Sequence, residues 1–171
     1  MKQPIYDILV VGKPRTQGSM KAFTVKGTNR AVVVQGKAPK DWRDAIIAQM
    51  TTNRPPRQPK GTAVKLSLTF YLPMSDAMYH ALGVAWRKNQ KGKAGRPGDL
   101  FPINKRDGDD DKLLRAVQDA LTSWAYDDDC QVSTCMIRKR FTRDRPGVHI
   151  RVWLDELKDE ERALYETEWS G

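Results

Sequence analysis

Polar and apolar positions along the chain follow two rhythms. From Thr62 to Leu72, Val64, Leu66, Leu68 and Phe70 alternate with Lys65, Ser67 and Thr69, the period-two pattern of a strand with one face in a core. Ile5–Val11 and Ala31–Val34 predict further strands. Cys130–Phe141 and Val148–Leu154 predict two more, joined at Asp144-Arg145-Pro146-Gly147 as an antiparallel hairpin. The second rhythm places apolar residues three or four apart. Trp42, Ala45, Ile46 and Met50 predict an amphipathic helix over Asp41–Met50. Leu113, Leu114, Val117, Ala120 and Leu121 form one arc of a helix over 112–122, with Asp111, Arg115, Gln118, Asp119 and Thr122 opposite. A last helix is expected over Asp155–Trp169, with Leu157, Leu164 and Tyr165 inward. The fold class expected is α/β of the α+β kind: a single domain with a mixed β-sheet, a terminal antiparallel hairpin and packed helices.

Length and composition narrow the class. A chain of 171 residues suits one domain, and we expect residues 1–154 to form it, with 155–171 as an acidic C-terminal helix. No stretch is apolar enough to cross a membrane, and Met1–Asp7 lacks the apolar segment of a signal peptide. The expectation is an intracellular protein with no membrane partner. Cys130 and Cys135 are too few for a tetrahedral zinc site; they are expected as buried free thiols.

Charge points to the partner. Residues 1–154 carry 28 basic against 14 acidic residues, a net of +14, while 155–171 hold seven acidic and two basic residues. Such a surface favours a polyanion. Between Arg87 and Arg106 the pattern dissolves into Gly, Pro, Lys and Arg, and a loop of that length usually has a function. Lys88, Lys91, Lys93, Arg96, Lys105 and Arg106 are its candidate DNA contacts. The turn-rich, positively charged stretch Gly12–Ser19 could approach a phosphate, but an ordinary polar connection is the preferred reading.

Within this basic chain, seven aspartates flank the helix over 112–122: Asp107, Asp109, Asp110 and Asp111 before it, Asp127, Asp128 and Asp129 after it. One acid at a helix N-terminus is explained by capping and the helix dipole. Three in succession, followed by three more past the helix, are not. Asp107, Asp109 and Asp111 alternate as in an EF-hand, but Lys112 and Gln118 stand where that loop wants glycine and glutamate. Mg²⁺ remains, since it takes a few carboxylates, keeps several waters and leaves room for phosphate oxygens. Arg115, one turn after Asp111, is the better candidate to stabilise charge on a phosphate; Lys112 is the other.

The stretch Gly108-Asp109-Asp110-Asp111-Lys112-Leu113-Leu114-Arg115, continuing through Asp119-Ala120-Leu121 to Tyr126-Asp127-Asp128-Asp129-Cys130-Gln131-Val132, resembles the RusA family of Holliday junction resolvases. The family pattern is Asp-x-Asp-(Asn or Lys)-Leu, a basic residue, Asp-Ala-Leu, then Asp-Asp-x-Gln-Val. The resemblance implies that Asp109, Asp111 and Asp129 are the catalytic acids and Mg²⁺ ligands, with Asp128 close behind and Mn²⁺ able to substitute. It places the catalytic basic residue at Arg115 and a DNA contact at Lys112. Gly108 stands where proline is common in the family. Membership implies a homodimeric endonuclease that nicks four-way DNA junctions in recombination and repair, often of phage or prophage origin, acting in the cytoplasm of a bacterial host. The rival readings are a non-catalytic junction- or duplex-binding protein with a structural ion, and a nuclease of broader branched-DNA specificity.

One geometric problem stands. A helix of about 12 residues is about 18 Å long, whereas Mg²⁺ ligands lie about 2.0–2.1 Å from the ion. Either the chain doubles back after Leu121, or the helix is shorter, or one acidic group meets that of a second subunit.

Overall fold

The computed structural model describes residues 3–18, 21–24, 27, 30–34, 40–80, 101–102 and 107–156. The alternation at Val64–Pro73 makes strand β4, with Val64, Leu66, Leu68, Phe70 and Leu72 buried. It lies inside a four-stranded sheet of order β1-β6-β4-β5, with β1 at Tyr6–Val11, β5 at Val132–Thr142 and β6 at Gly147–Leu154. β2 (Lys21–Thr24) and β3 (Ala31–Val34) form a separate antiparallel pair; the polar ends of β2 concealed it from the pattern. Helix α1 spans Lys40–Asn53 and α2 spans Asp110–Leu121.

The expected terminal hairpin does not form. β5 and β6 are consecutive and joined by a short turn, yet β4 lies between them, parallel to β5 and antiparallel to β6. Inserting β4, which has the most buried residues of the four strands, gives it ladder hydrogen bonds on both edges and leaves β5, whose burial alternates weakly, at the sheet's edge. The five predicted strands are otherwise all present, β2 is a sixth, and the antiparallel neighbours of β6 are β4 and β1 rather than β5. β1 completes the far side, pairing Tyr6 with Val152 through to Val11 with Gly147. That register is tight: a Cβ on Gly147 would stand 2.2 Å from the carbonyl oxygen of Val10.

Both helices cover one face of the sheet. Trp42, Ile46 and Met50 of α1 and Leu113, Ala116, Val117, Ala120 and Leu121 of α2 join Ile8, Val10, Leu68, Phe70 and Ile150 in one core. Ala116, outside the predicted apolar arc, is fully buried, while Leu114 is only partly so. The result is a single mixed α/β domain. Among the described residues no helix is long and apolar enough to cross a membrane. The basic segment Lys88, Lys91, Lys93, Arg96, Lys105 and Arg106, and the expected helix beyond Glu156, lie outside the described residues.

Candidate active site

The site is built on the polar face of α2. Its burial pattern turns Asp111, Arg115 and their neighbours to solvent because the apolar arc takes the sheet. The helix begins at the N-cap Asp109, whose carboxylate makes no capping hydrogen bond. It pairs instead with Lys112, 2.7 Å away, and that contact holds the Lys112 ammonium above its usual pKa. Both side chains are substantially exposed, so the pair is weak and easily displaced. Asp111 and Arg115 are exposed, and neither makes an ion pair with a described residue. The surface ion pair that would explain Arg115 most simply is absent among the described residues.

The remaining acids have local duties. Asp110 pairs with Lys139 Nζ at 2.9 Å, and the same ammonium donates to the Gly108 carbonyl at 3.0 Å. Asp127 is held by Arg57 and accepts from the backbone N–H of Lys60. Asp128 caps a 3₁₀ turn over Asp129–Gln131, accepting from the N–H of Cys130, which holds its carboxyl below the usual range. Gln131 is buried and closes the turn: its oxygen accepts from the N–H groups of Asp127 and Asp128, and its amide donates to Pro59 and Thr62. Asp129 is left exposed at the turn's first position.

The acidic groups sit at opposite ends of α2. Asp129 and Asp128 line a cleft of about 330 Å³ with Asp119 and Thr122, near the C-terminal end of α2, and with Arg43 of α1. Asp109 and Asp111 belong to its first turn. Among the described residues no group of three or more His, Cys, Asp or Glu is arranged around one ion. A second cleft, of about 420 Å³, opens beside the first turn of α2. Lys13, Pro14, Arg15 and Thr16 form one wall, with Asp107, Gly108, Leu113 and Met78 across from them.

The endodeoxyribonuclease RusA family model matches residues 11–153. The chain belongs to that family. No curated protein and no solved structure matches it. RusA endodeoxyribonucleases resolve branched DNA junctions, and the match runs from the end of β1 through β6, so it takes in both acidic groups and the strands beneath them.

Three features of this RusA chain escaped the sequence. Lys139 sits on β5, predicted as a strand, and nothing local marks which of its basic residues meets the turn that opens α2. Lys13 and Arg15, in a loop read as plain connection, line the cleft next to the acids. Gln17 of that loop is buried and donates to Asp119 across the fold. The glycine was visible but its reason was not: Gly108 has φ of +86°, closed to proline, and a Cβ there would meet Thr16 Cγ2 at 2.7 Å. Cys130 and Cys135 are free thiols, but exposed rather than buried, because one lies in the 3₁₀ turn and the other on edge strand β5.

Proposed function

We propose that the protein is a Mg²⁺-dependent, homodimeric nuclease that nicks four-way DNA junctions during recombination and repair, in the cytoplasm of a phage- or prophage-bearing bacterial cell. The observation that carries this reading is the Asp109 carboxylate. It occupies an N-cap without making a capping hydrogen bond, and it lies by the exposed face of α2 with Asp111 and with Arg115, which has no ion-pair partner among the described residues. Acids with structural duties, Asp110, Asp127 and Asp128, are those outside or beside the Asp-x-Asp positions; Asp111 has no such duty.

Carboxylate oxygens suit Mg²⁺, which accepts one or two of them and retains water in its other positions. Asp109 and Asp111 would hold the ion, with Mn²⁺ as a substitute. Held by these two carboxylates, the ion would supply charge neutralisation at the non-bridging oxygens and a more acidic water. Arg115, one turn along the same face, donates to the phosphate as negative charge grows on it. Lys13, Arg15 and Lys112 lie beside the first turn and seat the backbone electrostatically, with the basic segment 87–106 as the wider track for DNA.

Asp129 enters from a second subunit. α2 has the full 12 residues, about 18 Å of helix, and the chain after it brings Asp129 beside Asp119, not Asp111. A two-fold dimer lets Asp129 of the partner subunit complete each site and presents two sites to two equivalent strands.

The deciding experiment incubates the protein with a synthetic four-way junction and a matched duplex, with and without Mg²⁺. Paired nicks in the junction alone, lost in Asp111→Asn while binding persists, support the reading. Binding with no cleavage leaves a DNA-binding protein with a structural ion; equal cleavage of flaps and junctions leaves a broader branched-DNA nuclease.

A further inference from the structure

Among the ion-paired lysines and arginines of the described residues, Lys139 stands out with a side chain only 15% exposed, against 34–54% for Arg57, Lys65, Lys112, Arg143 and Arg151. It stands on β5 opposite Phe70, which is fully buried, so its stem lies on the helix-covered face of the sheet. A lysine so placed needs partners for its ammonium. It has two, and both belong to the turn that opens α2: the Gly108 carbonyl at 3.0 Å and Asp110 Oδ1 at 2.9 Å.

Those partners bracket Asp109. The Gly108 contact holds the residue before it and the Asp110 contact the residue after it, which also immediately precedes Asp111. Three adjacent carboxylates repel one another, and the ammonium offsets the middle one while tethering it toward the sheet. All three are exposed, but Lys139 holds Asp110 and leaves the Asp109 and Asp111 carboxylates on either side of it outside this contact.

We propose that Lys139 is a positioning residue for the divalent cation of Asp109 and Asp111, acting through the Gly108 carbonyl and Asp110 rather than by touching ion or phosphate. This rests on the metal reading above. Groups that orient metal ligands typically contribute about 10–100-fold to affinity, and Lys139 would do so although it adds positive charge near a cation.

The test is Mn²⁺ binding to the full-length protein, followed by electron paramagnetic resonance, alongside nicking as a function of Mg²⁺. Lys139→Met should weaken Mn²⁺ about 10–100-fold and raise the Mg²⁺ needed for half-maximal nicking in parallel. At saturating Mg²⁺ its rate should return to within about threefold of the parent, the mark of a group that orients ligands without taking part in the reaction. Unchanged Mn²⁺ affinity overturns the proposal, as does a rate that stays low at saturating Mg²⁺. So does a loss that merely tracks the unfolded fraction measured by circular dichroism. If Lys139→Met does not fold, Lys139→Gln, which keeps an N–H donor without the charge, should weaken Mn²⁺ by at least about fivefold; no weakening overturns the proposal equally. A parent protein that binds Mn²⁺ at Asp109 and Asp111 but cleaves no junction refutes the nuclease and leaves this inference standing. A parent that binds no Mn²⁺ refutes the inference itself.

Discussion

Gln17 Nε2 donates a 2.8 Å hydrogen bond to Asp119 Oδ2, joining a loop near the start of the chain to the polar face of α2. The Gln17 backbone N–H adds a second tie, to the Lys112 carbonyl at 3.1 Å, so one buried residue lays the Lys13–Thr16 wall along the acidic helix. Truncation to Gln17→Ala keeps the backbone bond and removes the one to a carboxylate. Hydrogen bonds to charged groups contribute about 1.5–3 kcal/mol, so the melting temperature should fall by roughly 3–10 °C. Thermal denaturation followed by circular dichroism measures it; an unchanged midpoint would mean the tie is idle.

Arg115→Ala is expected to separate catalysis from binding. It has no ion-pair partner among the described residues to lose, so Arg115→Ala should leave the melting temperature within about 1 °C of the parent. Its nicking rate should drop by about 10²–10³-fold, the usual cost of removing one charge-stabilising donor. Single-turnover cleavage of a labelled junction at saturating protein checks both the size of the loss and its confinement to the chemical step.

Gly108 answers two demands at once, a positive φ and a Thr16 Cγ2 that would stand 2.7 Å from any added Cβ. Gly108→Ala should cost about 1–3 kcal/mol and disturb the turn that carries Asp109. Combining it with Thr16→Ala removes the steric part alone. The double variant should therefore melt above Gly108→Ala and below the parent, and a double variant no better than the single would show that the backbone angle accounts for everything.

Asp155 gives a pH-dependent expectation. Hydrogen bonds from Lys65 and Ser133 hold its carboxyl below the usual carboxylate pKa. A lowered folded-state pKa stabilises above the unfolded value of about 3.8 and loses that effect as pH falls through the folded value. Asp155→Asn should thus lower the melting temperature modestly at pH 7, and the difference from the parent should shrink steadily below pH 4. A gap that stayed constant down to pH 2 would contradict the ion pair.

Cys130 is exposed but should react slowly. Its hydrogen bond with Asp128, followed by burial and the acidic surroundings, raises the thiol above its usual pKa, and the thiolate is the reactive form. Alkylation by iodoacetamide at pH 7, read by peptide mass spectrometry, should quicken at Cys130 in Asp128→Asn and stay the same at Cys135, where desolvation alone raises the pKa.

Local pattern by itself determined much of this protein. Alternation in 62–72 and the apolar arc of 112–122 specify β4 and α2 because side-chain direction follows backbone period wherever a face is buried. The ordered acids and Arg115 mark the family because their spacing along one helix and one turn is a property of the chain. The rest was decided by tertiary structure. Insertion of β4 between β5 and β6 depends on which strand gains most from two paired edges, a comparison no local stretch contains. The roles of Lys139 and Gln17 depend on partners 31 and 102 residues away, and contacts at such separations exist only once the sheet and α2 are packed. The same packing placed Asp129 beside Asp119, at the far end of a helix whose length the sequence had already implied.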